Sequence, residues 1–318
     1  MEIVKKDFRS FEPAELLPLW NGFYPNEFEI SPEILRLNTI DCPLFDWGAS
    51  VAAFKNDKPI AFVSIKRPAT RLWRVPDPDV SHLSGIAFED PETAVDLMSQ
   101  VKAILKSRGV HRLIFGQDFR HFFPGCPSNA TNLKSFLMVE GFVETGNAYD
   151  LERNLSNYEN PAQETGKGEF RPLGDPDRTA LHHFFEHNFP GRWRHDVLDK
   201  AAIEGLRNTV FGLVIDGKVE GFALVQDSSH SRPVGGAVWH KSLGENWGSL
   251  GPIGISKEIR GEGFGNELLG KALMHLKSKG VQKCIIDWTT LTDFYGKHGF
   301  QITRTYNTAH LSLGEKSN

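Results

Sequence analysis

The chain has 318 residues, 40 % hydrophobic and 24 % charged, the balance of a soluble globular protein long enough for about two domains. Its 36 Lys and Arg against 40 Asp and Glu give a net charge of −4, and no basic run marks a nucleic-acid surface. No stretch approaches the roughly 18 apolar residues of a membrane helix, and MEIVKKDFRSFEPAELL has neither an apolar core nor a cleavage signature. Cys42, Cys126 and Cys284 are odd in number and far apart, which suits a reducing compartment and gives no metal spacing. The expectation is a cytoplasmic protein without a metal and without nucleic-acid or membrane partners.

In chain order, the first strong signal is a hairpin in Val51–Ser64, followed by an amphipathic helix within Asp96–Val110. The stretch GQDFRHFFPGCPSNATN after it is loop-like, and a helix end follows at Phe136-Leu137-x-x-x-Gly141-Phe142. Leu155–Glu169 is polar, carries Pro161, Gly166 and Gly168, and has no apolar period, so a domain boundary is expected there. Phe170–Leu173 opens the next segment, with helices expected over Arg178–Asn188 and Leu198–Arg207, and a charged connection Phe189–Val197 between them. Val210–Val225 reads as a second hairpin, with Asp216-Gly217 as a type I′ turn signal. An apolar strand Leu250–Ile255 then leads through Arg260-Gly261-Glu262-Gly263-Phe264-Gly265 into a helix with Leu268, Leu269, Ala272, Leu273 and Leu276 on one face. A strand Lys283–Trp288 and the run Asp293-Phe294-Tyr295-Gly296-Lys297-His298-Gly299-Phe300 complete the pattern.

The two halves repeat. Asp96–Val110 aligns without a gap on Glu267–Val281, with apolar positions coinciding, and Phe136-Leu137-x-x-x-Gly141-Phe142 falls on Phe294-Tyr295-x-x-x-Gly299-Phe300. Val110 to Phe136 spans 26 positions and Val281 to Phe294 spans 13, so the first connection is longer by 13. The alternative is coincidence between two amphipathic helices; the second match in the right order favours duplication. The same offset sets Glu89-Asp90-Pro91-Glu92-Thr93-Ala94 against Arg260–Gly265. Three carboxylates there repel a pyrophosphate, and a proline removes an amide donor. The first copy therefore keeps the apolar skeleton and loses the chemistry. The expected domains are 1–160, structural, and 168–318, catalytic.

The glycine loop sits where a strand turns into a helix, and free amides at a helix start attract phosphate. No Gly-Lys-Ser/Thr is present, and the glycines alternate, so neither the P-loop nor the dinucleotide fingerprint fits. The alternative is an ordinary glycine-rich turn. Arg260, Gly263 and Gly265 instead resemble the Arg/Gln-x-x-Gly-x-Gly/Ala acyl-CoA pyrophosphate loop of the GNAT N-acetyltransferase superfamily. Phe294-Tyr295-x-x-x-Gly299-Phe300 is similar to the end of that family's fourth helix. Trp288 departs from the pattern, because many members carry there an asparagine that contacts CoA. The resemblance implies an α/β fold of two tandem GNAT-like domains, each a mixed, mostly antiparallel sheet flanked by helices. It also implies acetyl-CoA as co-substrate.

Acetyl transfer to an amine needs a held cofactor, a polarised thioester, a neutral amine and a proton for the departing thiolate. The cofactor residues expected from this reading are Ile253, Ile255, Arg260, Gly261, Gly263, Phe264, Gly265 and Asn266. Backbone amides near Ile253 and Ile255 are expected on a bulged or splayed strand, given Gly251, Pro252 and Gly254. Tyr295 is the candidate acid, a phenol protonated at neutral pH; its alternative is a packing aromatic like Phe294. Arg192 and Arg194 are candidates for a carboxylate or phosphate on the substrate, or else a solvated charged surface. Asp287 is a candidate on the acceptor side, or a strand-end residue bonded to backbone. Trp193, Trp239 and Trp247 line an acceptor wall or belong to the core. Two function classes remain: an acyl-CoA-dependent N-acetyltransferase acting on a small amine, and a non-catalytic acyl-CoA-binding sensor or interaction protein.

Overall fold

A computed structural model describes residues 2–68 and 79–314. They fall into two compact units, one of residues 2–68, 79–148 and 304–314, the other of residues 149–303. In chain order the first part holds β1 (Ile3–Asp7), α1 (Leu17–Phe23), α2 (Pro32–Asn38), β2 (Val51–Lys55), β3 (Lys58–Lys66), β4 (Val80–Phe88), α3 (Pro91–Ser107), β5 (Arg112–Phe115), β6 (Cys126–Pro127), α4 (Thr131–Val139) and β7 (Val143–Asn154). Then come β8 (Glu169–Pro172), α5 (Arg178–Asn188), α6 (Arg192–Glu204), α7 (Leu206–Thr209), β9 (Val210–Ile215), β10 (Lys218–Asp227) and α8 (His240–Leu243). The chain closes with β11 (Trp247–Ile255), α9 (Phe264–Ser278), β12 (Lys283–Thr289), α10 (Thr292–Gly296) and β13 (Gln301–Ser312).

The duplication is visible in the strand order. The first unit runs β1-β2-β3-β4-β5-β13 and the second β8-β9-β10-β11-β12-β7. Within each unit these pairs are antiparallel except β4–β5 in the first and β11–β12 in the second. The mixed, mostly antiparallel sheet flanked by helices is thus present twice. The units are not the linear segments 1–160 and 168–318. The last strand of the chain, β13, pairs with β5 of the first unit through His310↔Ile114, while β7 pairs with β12 of the second through Ile285↔Glu152. Periodicity reveals a strand but not its partner, so this exchange has no signature in the sequence. Both hairpins turn as expected: Asn56 and Asp57 lie at φ 52° and 57°, Asp216 and Gly217 at 49° and 74°.

In the second unit β10 alternates its apolar residues between two layers. Ala223 and Val225 join the cluster built on α9, whereas Phe222 and Leu224 join Phe184 and Phe185 of α5 and Val197 and Ala201 of α6. On α9, Gly265 and Gly270 each cost about 1 kcal/mol of helix propensity relative to alanine. Burial of Leu268, Leu269, Leu273 and Leu276 returns about 2 kcal/mol apiece, so packing dominates. The polar stretch expected as a boundary is part of this unit. Glu164 bridges to Lys271 at 2.6 Å, and Thr165 donates its N–H and hydroxyl to Glu267, each at 2.8 Å.

The loop-like stretch of the first unit is buried. After Leu83↔Phe115 the ladder between β4 and β5 ends, and the chain that follows folds into the space beyond. Ser84 Oγ donates to Asp118 at 2.8 Å, and Phe122 packs 4.6 Å from Trp20, whose ring stacks on Phe123. The sequence has phenylalanines there because the segment is core, and several of its polar groups are met by residues of the surrounding elements. Lys66 Nζ, fully buried, donates to Asp118 at 2.6 Å and to the carbonyls of Phe119 and Arg120 at 3.0 and 2.8 Å. Burial opposes the Asp118 charge, but Lys66 and His82 hold its carboxyl below the usual range.

Replacing Asp118 by alanine strands the Lys66 ammonium in the core, which should cost about 3–5 kcal/mol. Urea unfolding of the full chain measures this, and a loss under about 1 kcal/mol would contradict a buried pair in which Asp118 offsets the Lys66 charge.

Candidate active site

The site forms where two parallel strands stop pairing. β11 and β12 are joined by Trp247↔Lys283, Gly248↔Cys284 and Ser249↔Ile285, with no pair after that. At the same point β11 passes from buried, over residues 247–250, to half-exposed, over residues 251–255. Each strand is bulged just beyond. Against β10, Ala223 faces Ile253 while Val225 faces Leu250, so β11 carries an extra residue around Gly251-Pro252. Pro252 has no N–H to offer a ladder. Against β7, the register of β12 shifts between Ile286 and Thr289, where Trp288 adopts φ 44° and its N–H is held by Asp150 Oδ1 at 3.1 Å. Such bulges increase twist and re-aim side chains.

The parted edge of β11 carries unpaired backbone. Ser256 donates its N–H to Glu220 O of the β10 side at 2.8 Å, so by the alternation of an antiparallel ladder Ile255 and Ile253 turn their N–H and C=O groups away from β10. Their side chains pack against the α9 cluster. Gly254 has no room for a Cβ, which would lie 2.5 Å from the Phe189 ring.

The glycine loop runs from this edge to the start of α9. Gly263 is the N-cap residue at φ 93°, a left-handed conformation that glycine adopts freely, and no side chain caps the helix. The first amides of α9 therefore face outward with the helix dipole behind them. Arg260 lies beside them, its guanidinium 3.4 Å from Ile255 O and 5.8 Å from the Phe189 ring centre. The Phe264 side chain is in the core, so only its backbone is at the surface of the site. The equivalent helix start in the first unit is closed. There the Asp90 carboxylate caps α3, accepting from Thr93 N–H at 2.9 Å and Thr93 Oγ1 at 2.7 Å, and Glu89 is bridged to Lys58. An internal anion occupies the place where the second unit leaves open amides.

Asn266 reveals a group that the sequence reading passed over. Its Oδ1 lies 3.0 Å from His298 Nε2, and His298 Nδ1 lies 2.7 Å from the Tyr158 hydroxyl. With Asn266 Oδ1 as acceptor, Nε2–H donates and Nδ1 accepts from Tyr158. His298 is 1 % exposed, and burial, with Arg153 and Lys297 nearby, pushes its pKa down to about 4. The only sequence signal was its position inside the Phe-Tyr-x-x-x-Gly-Phe run.

Tyr295 belongs to the same core as α9, between Phe294 and Phe300. Burial first, and then the Asp287 carboxylate, raise its phenol above the ordinary value, so it stays protonated. Among the described residues its hydroxyl has no hydrogen-bond partner. Asp287 is half-exposed at the parted end of β12, and its Oδ1 would lie 3.9 Å from a Cβ on Gly251 of the opposite lip.

The two arginines do not converge. The expected connection Phe189–Val197 is largely helix, since α6 starts at Arg192 and ends where Gly205 takes φ 83°. Residues i and i+2 of a helix point in different directions. Arg192 bonds Asp196 at 3.0 Å and stacks 4.5 Å from the Trp288 ring centre, while Arg194 bonds Glu186 of α5 at 3.0 Å. Arg192 is thus near the parted strands and Arg194 is not brought to them. Trp239 and Trp247 are core residues, and Trp193 is 40 % exposed beside Phe189. A separate cavity of about 440 Å³, lined by Glu152, Gly244 and Lys283 among others, lies at the opposite, paired end of β12.

The acetyltransferase (GNAT) family matches residues 178–300. Among solved structures, a glucosamine N-acetyltransferase region of a fungal multi-domain GH3 β-N-acetylglucosaminidase superposes with a TM-score of 0.83 at 20 % identity, over 98 % of this chain and 38 % of that one. A GCN5-related N-acetyltransferase from Sphaerobacter thermophilus gives 0.71 at 13 % identity, over 99 % and 97 % of the two chains. A tandem GNAT protein from the clavulanic acid biosynthesis pathway gives 0.66 at 11 % identity, over 99 % of each. The chain therefore spans little more than a third of the first of these and nearly all of the other two. No curated protein matches the chain. Fold and family domain together define an acetyltransferase class whose members use acyl-CoA. Residues 178–300 match the acetyltransferase (GNAT) family, and the chain as a whole shares the fold of these structures. Among the described residues no helix is long and apolar enough to cross a membrane.

His298 makes a pH-dependent contribution to stability. Its folded pKa of about 4 lies below the unfolded value of about 6.5. The fold holds the neutral ring, so the contribution is complete above pH ~6.5 and is lost as pH falls through ~4. Denaturant midpoints should fall over that window more steeply in the wild type than in His298→Gln; equal slopes would show that His298 does not titrate as buried.

Proposed function

We propose that the second unit moves an acetyl group from acetyl-CoA to the amine of a small-molecule acceptor by direct attack in a ternary complex. The observation that carries this is the uncapped, glycine-started helix α9 beside the parted edge of β11, in the half of the duplication that keeps Arg260. Gly261, Gly263, Gly265 and the amide of Phe264 receive the pyrophosphate, with Arg260 as the fixed cation, while the Asn266 N–H is bonded to Gly263 O. The outward amides of Ile253 and Ile255 bond the pantetheine and the thioester oxygen, and a donor aimed at developing negative charge is worth about 3 kcal/mol.

The acceptor nitrogen attacks the thioester carbon, a C–N bond forms and the C–S bond breaks. The thiolate takes the Tyr295 proton, and the proton lost from the amine passes to water, from which Tyr295 is restored. The raised phenol pKa keeps Tyr295 in its acid form across the physiological range, so its own titration affects the rate only above pH ~10. Asp287 and Arg192 stand on the acceptor side. Glucosamine is the first acceptor to assay, since the 0.83 neighbour is described as a glucosamine N-acetyltransferase region. An acyl-CoA sensor would show tight CoA binding and no turnover with any amine.

Arg260→Glu places a carboxylate beside the pyrophosphate and should weaken CoA binding by at least tenfold, about 1.4 kcal/mol, measured by calorimetry. An unchanged dissociation constant puts the pyrophosphate elsewhere. Tyr295→Phe keeps the ring, so acetyl-CoA binding should hold while kcat and kcat/KM fall together, by about 10²-fold or somewhat less given a fair leaving group. A fall under about threefold with an unchanged pH profile removes Tyr295 from the mechanism.

A further inference from the structure

A helix ordinarily leaves its first N–H groups unpaired, but in α9 the Asn266 N–H already bonds Gly263 O at 3.1 Å. What Asn266 gives to an anion at this helix start therefore comes from its side chain. That side chain is held from the buried side. Its Oδ1 lies 3.0 Å from His298 Nε2, and His298 Nδ1 lies 2.7 Å from the Tyr158 hydroxyl. Tyr158 and His298 are each 1 % exposed, whereas Asn266 is only half-buried, in the first turn of α9.

Two proton arrangements fit these distances. In one, Tyr158 donates to Nδ1, and Nε2–H donates to Asn266 Oδ1. In the other, Nδ1–H donates to Tyr158, and Nε2 accepts from an Asn266 amide turned over by half a rotation. The second strands the Tyr158 hydroxyl proton, because among the described residues that hydroxyl meets only His298. A buried donor without an acceptor is costly, and the first arrangement avoids it. The first also directs Asn266 Oδ1 inward. The Nδ2 group, with two N–H donors and no partner among the described residues, is then left beside the open amides of the helix start. The direction matters, because a carbonyl oxygen in place of Nδ2 would oppose the helix dipole and Arg260 in drawing an anion.

Tyr158 is itself fixed at several points. The Arg153 guanidinium lies 5.0 Å from its ring centre and donates to His298 O at 2.5 Å, and Lys277 Nζ donates to Tyr158 O at 2.8 Å. The polar segment 155–165 is thus a splint along α9. It meets Lys277 in the last turn, packs Asn160 where Gly270 has no room for a Cβ, and reaches Glu267 in the first turn through Thr165. We infer that Tyr158 and His298 are positioning residues for acyl-CoA: the chain Tyr158–His298–Asn266 turns the Asn266 Nδ2 donors toward the pyrophosphate. This rests on the acetyltransferase reading above. Both residues are too deeply buried to touch the ligand, so they act only through Asn266.

The test measures CoA affinity of the full chain by calorimetry, in the wild type, Asn266→Ala, Tyr158→Phe and the double variant. Asn266→Ala should weaken CoA by about tenfold, the order expected for a hydrogen bond to a charged group. Tyr158→Phe removes one buried hydroxyl and should weaken CoA by about threefold or more, yet add nothing in the Asn266→Ala background. A merely structural role for Tyr158 would give the same loss in both backgrounds, and that result overturns the inference. So does an Asn266→Ala variant that binds CoA as the wild type does; either outcome leaves the acetyltransferase reading standing. A wild type that binds no CoA overturns both. Nitrogen NMR of isotope-labelled histidine in the wild type needs no variant. At neutral pH His298 should show the Nε2–H tautomer, and the Nδ1–H tautomer would turn the Asn266 amide the other way and overturn the inference.

Discussion

Everything in the second unit follows from the failure of β11 and β12 to stay paired after Ser249↔Ile285. Two parallel strands cannot part in a core without leaving backbone groups unsatisfied, unless something else takes them up. Here the parting is built in by an extra residue in β11 and a left-handed residue in β12, and the strands leave burial at the same point. The freed edge packs through Ile253 and Ile255 on the α9 cluster, and Tyr295, in the same cluster, feels the charge of Asp287 at the parted end of β12. The candidate site is thus the outer face of a well-packed core and not an appendage to it.

The first unit shows the same constraint resolved in another way. β4 and β5 also part after a few pairs, and the chain fills the space with its own phenylalanines and the Lys66–Asp118 pair. The helix start beside it is capped by Asp90, where the second unit has Gly263 and no cap. A pair of buried charges contributes little net stability, but removal of one partner is expensive, so an inserted segment once satisfied this way is hard to lose. One skeleton therefore supports an open gap and a filled one, and the longer connection after β5, together with the Asp90 cap, separates the two.

For the two arginines the decisive fact is helical phase. Arg192 and Arg194 look like a clamp when read as a loop, yet α6 sends them in different directions and to different carboxylates. Beside the parted strands stand Arg192, Trp288 and Asp287, and Trp288 is the residue at which the chain departs from the family pattern.

The sequence by itself determined the local elements and the repeat. Alternating apolar residues and Asp216-Gly217 defined the hairpin, leucine spacing defined α9, and Gly261, Gly263 and Gly265 marked the turn into it, because these features depend on residues close in the chain. It also set Glu89, Asp90 and Pro91 where the second copy has Arg260, Gly261 and Glu262, a replacement that disfavours a phosphate loop on charge and on a missing N–H. Only the tertiary structure decided which strand completes which sheet, that GQDFRHFFPGCPS is a buried filling, that His298 joins Tyr158 to Asn266, and which carboxylate each arginine meets. Those outcomes depend on partners as far as 32 positions away for Asn266 and His298 and 140 for Tyr158 and His298, and, for the arginines, on which face a side chain presents. A sequence pattern specifies a face and a period; the identity of the neighbour that covers that face is set only when the whole chain has packed.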